Sequence, residues 1–464
     1  MMEFSPRRWL ALGVTLLAMV LDLIDYTIVT IANPSIQHAF GSGSTVIEWV
    51  SAGYGLAYGL GLISGGRLGD VFGRRRMFLL GVAGFTVASV CCGLAVGPAM
   101  LIAARIVQGV FASVMAPQIL AMVQVNFPER ERPKALAMFG GAAAIASVLG
   151  PLLGGVLLDA DVFGLGWRAI FLVNLPIGVL TLVAAAMLVP ESRAEQRSGG
   201  LDLLGVGLLT VGLLLVLYPL VEGRTLGWPL WTFLLMVAAV PVLGGFGWHQ
   251  VRAQRAGAGV IVAPRLLRQR GFAGGLLAQL TVFCGLNGLF VVFAVLLQEG
   301  FGYSPLRAGL NFLPFSVGVA LATPVSGALA ARLPRGLIAI GSGLMALGMV
   351  LLEVALLAAV PGTFAFLPGM VVAGLGLGLV APNMVGVALT EVDPRDAGAA
   401  SGAVATAGQL GGALGVAVLG SVFFGLLPSG FAHAAHVTLW VEVGVYVVAA
   451  LLATALPRSR SVGQ

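Results

Sequence analysis

The chain has 464 residues, of which 59% are hydrophobic and 9% are charged, and its formal net charge is +6. Such an apolar composition excludes an ordinary soluble fold and indicates a protein that crosses the membrane many times. Most of the positive charge is explained by membrane topology, as described below, so it gives little support to nucleic-acid binding.

Long apolar runs recur along the whole chain and are separated by short loops that contain charges, glycine or proline. A run of about 18 or more apolar residues predicts a membrane-spanning helix. The runs lie at residues 9–32, 46–66, 77–96, 98–123, 134–158, 167–189, 202–220, 229–249, 271–297, 305–328, 335–358, 362–389, 397–426 and 434–456. They are continuous rather than alternating, so barrel strands are not expected. The predicted fold class is therefore an all-α integral membrane protein with fourteen helices.

The positions of the basic residues predict the orientation of these helices. Of the 25 Lys and Arg residues, Arg105 lies inside a predicted span, and Arg168, Arg224 and Arg307 lie in loops on one side. The others lie on the opposite side. By the positive-inside rule, both termini are expected in the cytoplasm.

Predicted helix 1 contains the stretch VLDLIDYTIVTIANP, residues 20–34, which places two carboxylates in an apolar run. On a helix, Asp22, Asp25, Tyr26 and Asn33 fall on one stripe. A carboxylate that faces lipid is costly, so we expect this stripe to face the interior of a helix bundle or a cavity that contains water. The residues then either serve function or form a polar pair that only holds helices together.

The loop after predicted helix 2 reads GGRLGDVFGRRR, residues 65–76, and contains Gly66, Asp70, Gly73, Arg74 and Arg75. A basic cluster that only sets topology would explain the arginines. It would not explain Asp70 or the glycines, so a conformational role is the more specific interpretation.

Arg105 lies in predicted helix 4, about 10 Å along the helix from Pro98, at a depth similar to that of Asp22 and Asp25. A buried guanidinium needs an anion or carbonyl groups as partners. A neighbouring cation favours the ionised form of a carboxyl group, whereas burial and a second carboxylate favour the neutral form. Such opposing effects are suited to proton exchange; a purely structural clamp is the alternative.

Predicted helix 5 contains Gly150, Pro151, Gly154 and Gly155, which indicate a bend and a close approach to another helix. Further along, the polar segments 190–202 and 249–271 bracket helices 7 and 8. We therefore expect an N-terminal six-helix bundle at 1–190, a linker with helices 7 and 8 at 191–265, and a C-terminal six-helix bundle at 266–464. The loop at 326–336 corresponds to the one at 65–76, and such repetition between halves is typical of transporters.

In predicted helix 9, Phe283, Asn287 and Phe290 share one face, and an aromatic cleft with few polar groups suits apolar or amphipathic cations. Ordinary helix packing is an equally good explanation.

Two further acidic residues, Glu353 and Glu442, are expected in the outer third of their helices. They are candidates either for structural roles or for secondary proton or cation sites. His433 and His436 are expected in an outer loop.

Several motifs resemble those of the major facilitator superfamily. The loop with Gly66, Leu68, Asp70, Gly73, Arg74 and Arg75 is similar to the most recognisable motif of that superfamily. Arg105, Gln108 and Gly109 resemble the motif of proton-coupled members, and Gly150-Pro151 with Gly154-Gly155 resembles the antiporter motif. Five further stretches of this chain resemble the fourteen-helix branch of drug:proton antiporters. They are DYTIVTIANP, EWVSAGYGLAYGL, WRAIFLVNLPIG, LLQEGFGYSPLRAG and AASGAVATAGQLGGALG. The resemblance covers nearly the whole chain.

The resemblance implies two pseudo-symmetric six-helix bundles plus two additional helices. It implies multidrug efflux, and thus antibiotic resistance, by proton antiport across the bacterial cytoplasmic membrane. Asp25 matches the family position, so we expect it to carry the proton, and Asp22, an addition to the usual pattern, to tune it or to contact cationic substrates. Asp70 is expected to latch the two halves by facing the start of helix 13 near Ala397. The candidate cavity residues are Tyr26, Asn33, Gln108, Phe283, Asn287 and Phe290.

The sequence also allows other functions. Within transport, the alternative is an exporter of a single metabolite, such as a self-made antibiotic or a lipid. An intramembrane enzyme is disfavoured because no metal-ligand cluster, phosphate loop or nucleophile elbow is found at usable spacing. We expect a monomer that acts on a small molecule and protons within the lipid bilayer, with no cofactor, metal, catalytic residue or nucleic-acid partner.

Overall fold

The structure is a computed structural model that describes residues 8–128, 130–192, 202–258, 260–261, 264–330, 333–357, 364–389, 392 and 397–455. The two termini, whose cytoplasmic location is predicted above, lie outside the described residues at 1–7 and 456–464. Most of the polar segment after helix 6, at 193–201, also lies outside them.

In the described part of the chain, fourteen helices are long and apolar enough to cross a membrane. They are α1 (Arg8–Phe40), α2 (Ser44–Phe72), α3 (Arg74–Gly93), α4 (Pro98–Asn126), α5 (Arg132–Asp159), α6 (Asn174–Leu188), α7 (Leu203–Glu222), α8 (Leu230–Arg255), α9 (Arg270–Val295), α10 (Pro305–Leu329), α11 (Pro334–Leu356), α12 (Leu367–Leu389), α13 (Ala397–Leu426) and α14 (Phe431–Ala455). A short helix, Ala169–Leu172, precedes α6 and lengthens that span. The predicted all-α class and the fourteen predicted spans are confirmed.

The chain divides into two compact units. The first consists of Met1–Leu201 together with Ser304–Gly309. In this unit α1 packs on α5, and α4 packs on both α2 and α3. The apolar side chains between these helices are fully buried at Ile28, Val50 and Phe85. The carboxylates of α1 therefore lie inside a packed bundle.

Two glycines of α5 explain how closely this helix approaches α1. A Cβ atom at Gly150 would overlap the Thr27 hydroxyl, and one at Gly154 would lie 2.9 Å from Cγ1 of Ile28. Pro151 lies between them inside the helix. Any larger side chain at Gly150 or Gly154 would separate the two helices.

The second unit consists of Asp202–Tyr303 and Leu310–Gln464. Here α9 packs on α13, and α11 packs on α12 and α14. Helices α7 and α8 pack on each other, and α7 also packs on α13, where the Ser421 hydroxyl donates to the Leu220 carbonyl. The guanidinium of Arg224 lies 5.2 Å from the Phe424 ring centre, which adds a second contact at this junction.

Candidate functional site

The two carboxylates of α1 are buried near the middle of the helix. Asp25 is 0% exposed and Asp22 is 3% exposed. At 1.5 Å per residue, Asp25 lies about 26 Å from Arg8 and about 22 Å from Phe40. The expectation that this polar stripe faces the interior of a bundle agrees with the structure. An ionised carboxylate at this depth requires compensating partners.

Asp25 is held by three side chains from two other helices. Its Oδ2 lies 2.6 Å from Nη1 of Arg105, and its Oδ1 accepts hydrogen bonds from Nε2 of Gln108 at 3.0 Å and Nδ2 of Asn174 at 2.6 Å. All three groups donate. A set of donors with one cation matches an ionised carboxylate.

Arg105 is itself 1% exposed and makes further contacts. Its Nη1 lies 2.7 Å from Oε1 of Gln108, and its Nε donates to the Val50 carbonyl at 3.4 Å. The guanidinium carbon lies 4.1 Å from the Tyr54 ring centre, in the geometry of a cation–π contact. The structure thus brings Arg105 to Asp25, as its predicted depth suggested, and places Gln108 beside both.

An outer layer of hydrogen bonds fixes the amide partners of Asp25. Nδ2 of Asn174 is also 2.9 Å from the Ser89 hydroxyl, which donates to the Phe171 carbonyl at 2.9 Å. The Cys92 sulfur lies 3.6 Å from Oε1 of Gln108. Side chains from α3, α4 and α6 therefore surround the carboxylate on α1.

Asp22 has a different environment. The Tyr54 hydroxyl donates to its Oδ1 at 2.5 Å, and the Tyr58 hydroxyl donates to its Oδ2 at 3.0 Å. A tyrosine hydroxyl can either donate or accept, so these partners can satisfy an ionised or a neutral carboxyl group. Tyr54 also lies against Arg105, so one side chain connects the surroundings of both carboxylates.

Sequence reasoning did not assign Tyr54, Tyr58 or Asn174 to the site. The two tyrosines are four residues apart and therefore lie on one face of α2. Asn174 is the amide residue within WRAIFLVNLPIG, residues 167–178. All three were present in stretches that resemble the family, but no residue pattern linked them to α1.

The other candidate cavity residues are spread over both units. Tyr26 lies beside the carboxylates, with its ring centre 5.8 Å from that of Tyr54. Asn33 is eight residues beyond Asp25, about 12 Å along the helix, and its Nδ2 lies 3.5 Å from the Ser51 hydroxyl. Asn33 therefore belongs to a separate polar contact.

In the second unit, the predicted face of helix 9 is part of an aromatic cluster. The ring centre of Phe290 lies 5.1 Å from that of Phe312 and 5.2 Å from that of Phe315. Nδ2 of Asn287 donates to the Phe283 carbonyl one turn earlier. This cluster is apolar and partly buried, as an aromatic substrate surface or an ordinary core would be.

Residues 65–76, predicted as a loop, are helical on both sides of Gly73, because α2 extends to Phe72 and α3 begins at Arg74. Gly73 forms the break between the two helices, and its φ of +106° favours glycine. Asp70 accepts a hydrogen bond from Nη2 of Arg74 at 2.8 Å. Glu191 accepts the Arg75 backbone N–H at 3.1 Å and lies 3.7 Å from Nε of Arg76. A carboxylate at the first turn of α3 is favoured by the helix dipole.

Gly66 belongs to the same motif, lies within α2 and is near Pro117 of α4. A Cβ atom at Gly66 would lie 3.6 Å from Cβ of that proline, an ordinary van der Waals distance. The expected contact of Asp70 with the start of helix 13 near Ala397 stays a prediction.

Two expectations for the second unit are wrong in detail. Helix α14 begins at Phe431, so His433 and His436 lie in a helix rather than in a loop. In that helix, Nδ1 of His436 lies 2.5 Å from Oε1 of Glu353. Glu442 lies nearer the middle of its helix than predicted, for the same reason. Among the described residues, no group of three or more His, Cys, Asp or Glu side chains could hold a metal ion.

Comparison with solved structures bears on the fold. A bacterial homologue of the human lysosomal transporter Spinster, in an inward-facing and occupied conformation, has a TM-score of 0.69 and 18% identity, with 98% of each chain covered. A D-xylose–proton symporter has a TM-score of 0.67 and 19% identity, with 97% of this chain and 98% of its own covered.

Sequence comparison extends to closer relatives. A probable actinorhodin transporter of Streptomyces coelicolor is 43% identical over 91% of this chain and 74% of its own. A puromycin resistance protein of Streptomyces alboniger is 36% identical over 98% and 93%, and a tetracenomycin C resistance and export protein of Streptomyces glaucescens is 34% identical over 89% and 76%. A sequence profile of the Major Facilitator Superfamily matches residues 15–286 and 275–463. The chain belongs to the Major Facilitator Superfamily.

Proposed function

We propose that the protein is a proton-coupled antiporter that exports small amphipathic or cationic compounds by alternating access. The observation that carries the proposal is the buried ion pair of Asp25 and Arg105, 2.6 Å apart, with Gln108 and Asn174 as amide partners. An ionisable residue inside a membrane bundle is costly, and it is found where ions or protons move. One relative is a puromycin resistance protein and another a tetracenomycin C resistance and export protein, which supports export as the direction of transport.

The ion pair offers a way to couple a proton to a change of conformation. Protonation of Asp25 removes its charge and leaves Arg105 without a counterion, although the Gln108 oxygen and the Val50 carbonyl still accept from it. Because a buried cation without a counterion is unfavourable, the helices around Arg105 then favour a different conformation. A proton on Asp25 would therefore shift the population between two states of the transporter, and water entering the site would let the proton leave.

Asp22 is suited to tune this exchange or to contact a cationic substrate. Its tyrosine partners tolerate a neutral or an ionised carboxyl group. The rings of Tyr26 and Tyr54, 5.8 Å apart, add aromatic faces that attract cations. Loss of the Asp22 charge is therefore expected to alter preference among cations more than coupling.

The arrangement in the membrane is part of the proposal. Both termini face the cytoplasm, and helices 7 and 8 are inserted in the sequence between two six-helix bundles. The two bundles open the substrate site to one side of the membrane and then to the other. Asp70 and its neighbouring arginines act as the conformational latch, and the protein works as a monomer in the bacterial cytoplasmic membrane.

A second candidate is a dedicated exporter of one antibiotic or other metabolite. Three relatives are described as exporting, transporting or giving resistance to single named compounds: actinorhodin, puromycin and tetracenomycin C. A dedicated exporter would respond to one compound of a panel, whereas a multidrug exporter would respond to several of unrelated structure.

Transport in liposomes tests both candidates. The reconstituted protein is given a pH gradient, and movement of tetraphenylphosphonium, puromycin, actinorhodin and tetracenomycin C is followed. We expect Asp25→Asn to abolish movement driven by the gradient, while the control Glu299→Gln, at an exposed position of the second unit, transports normally. Gradient-driven transport by Asp25→Asn at the wild-type rate would contradict the assignment, and Asp22, Glu353 or Glu442 would then be the carrier.

A further inference from the structure

A buried carboxyl group in the second unit has no part in the network around Asp25. Glu442 lies on α14, about 16 Å from Phe431 and about 20 Å from Ala455, and is therefore close to the middle of the helix. It is 0% exposed. Neither of its carboxylate oxygens has a hydrogen-bond partner in the described part of the chain.

The nearest polar neighbours of Glu442 are uncharged. Tyr446 lies one turn further along the same face of α14, is 0% exposed, and has a hydroxyl group that likewise lacks a partner. That hydroxyl lies against α9, where a Cβ atom at Gly285 would be 2.9 Å from it. Cys284 precedes Gly285 on α9. A small polar cluster therefore lies between α9 and α14.

The helices that pack on α14 bring no cation to this cluster. The ionisable residues of α9 are Arg270, at its first residue, and Cys284, and α13 has none over Ala397–Leu426. Those of α11 are Arg335, at the second residue of the helix, and Glu353, which is paired with His436.

The short segments that contact α14 also bring no cation to the cluster. Leu296–Gly300 contains Glu299, which is exposed, and Leu427–Ser429 contains no ionisable residue. The ionised form of Glu442 would therefore be an isolated charge in an apolar interior, which is very unfavourable.

We propose that Glu442, with Tyr446 as its polar neighbour, forms a second proton-binding site of this protein, separate from Asp25. The site holds its proton in the closed surroundings described here and exchanges it when those surroundings admit water. That the protein binds a proton here does not depend on the proposed function. That the proton contributes to transport rests on it.

Infrared spectroscopy tests the site directly, because a protonated carboxylic acid has a carbonyl stretch that is separate from the carboxylate bands and shifts in D₂O. We expect the wild type at neutral pH to show such a band, Glu442→Gln to lose it, and the matched control Glu299→Gln to keep it. The same band in Asp25→Asn and in Asp22→Asn would show that it arises from neither buried carboxyl group of α1. A Glu442→Gln spectrum identical to that of the wild type would overturn the proposal.

Tyr446→Phe provides a second readout that does not require the loss of Glu442. Removal of the neighbouring hydroxyl dipole is expected to shift the carbonyl band in frequency without removing it. If Glu442→Gln cannot be purified in folded form, the Tyr446→Phe spectrum tests the proposal instead. An unshifted band in that spectrum overturns the assignment to Glu442.

The contribution to transport is tested by counting protons released when tetraphenylphosphonium is added to the purified protein. We expect Glu442→Gln to release fewer protons per molecule than the wild type, and Glu299→Gln to release as many. Unchanged release by Glu442→Gln, with release by Asp25→Asn abolished, would overturn the contribution of Glu442 and leave the proposed antiport intact. Unchanged release by Asp25→Asn would instead contradict the proposed role of Asp25.

Discussion

The buried carboxyl groups of the two units are stabilised in opposite ways. Asp25 of the first unit has a cation at 2.6 Å and two amide donors, whereas Glu442 of the second unit has no partner for either oxygen among the described residues. Both residues are 0% exposed. Burial alone therefore does not determine the ionisation of a carboxyl group, because the surrounding donors decide it.

This difference predicts how each site responds to the loss of a partner. Breaking a buried ion pair leaves one uncompensated charge, which is strongly destabilising. Replacing a neutral, unpartnered carboxyl group by an amide removes no charge. The two units should thus respond very differently to substitutions of similar size.

The largest effect is expected for Arg105→Met, which keeps most of the side-chain volume but removes the cation. Asp25 would keep its amide donors and lose its counterion, and removal of one partner of a buried pair costs about 3–5 kcal/mol. Thermal or denaturant unfolding in detergent measures the loss. The double variant Arg105→Met/Asp25→Asn should recover part of it, and equal stability of the single variant and the wild type would contradict the ion-pair account.

The packing of α5 on α1, which closes the site around Asp25, gives the next largest effect. Gly150→Ala introduces a Cβ atom that would overlap the Thr27 hydroxyl. Overpacking of this kind costs about 1–3 kcal/mol. Gly140→Ala is the matched control on the same helix, because nothing lies within 4 Å of a Cβ atom there. If both variants unfold at the same temperature, the close contact does not support the site.

An effect of similar size is expected to distinguish the tyrosines of the two units. Tyr54→Phe removes the 2.5 Å hydrogen bond to Asp22 and should cost about 1–3 kcal/mol. Tyr446→Phe removes a hydroxyl group that has no partner among the described residues, so its cost should be well below that of Tyr54→Phe. Unfolding of the two variants side by side measures the difference, and the reverse order would contradict the comparison.

The smallest effect concerns Asp202, a carboxylate at the start of α7 and outside the membrane span. Burial raises the pKa of Asp202, but hydrogen bonds from His249, Gln250 and the Gly205 N–H outweigh it and hold the pKa below the ordinary value of 3.8. The stability that these bonds give is therefore present above pH 3.8 and is lost as the pH falls through the lower folded-state value.

The pH dependence of unfolding measures this contribution. We expect wild-type stability to fall in that acidic range by more than that of Asp202→Asn, which cannot titrate at this position. Parallel pH profiles of the two proteins would show that the capping carboxylate does not hold the α7–α8 pair.

The sequence predicted the helices well because a membrane span is a local property of about 20 residues. The face of α1 that contains Asp22 and Asp25 was also predictable, because helical periodicity determines which residues share a face. The partners on other helices were not predictable in the same way. Tyr54, Tyr58 and Asn174 meet α1 only through the packing of distant segments.

Errors at helix ends had larger consequences in the second unit. The start of α14 at Phe431 moved His433 into a helix and moved Glu442 towards the middle of the span. His436, which the predicted run 434–456 already contained, reaches Glu353. The apolar run alone could not locate this start, because a helix can begin in residues outside the hydrophobic segment.

Proton release on addition of substrate tests the central claim most directly. Wild-type protein and Asp25→Asn are purified in weakly buffered detergent solution, and the pH is followed as tetraphenylphosphonium or puromycin is added, with Glu299→Gln as the control. The account predicts that the wild type and the control acidify the solution, and that Asp25→Asn releases fewer protons than either. Release by Asp25→Asn that equals the wild type in amount and rate would contradict the assignment of Asp25 as the proton carrier.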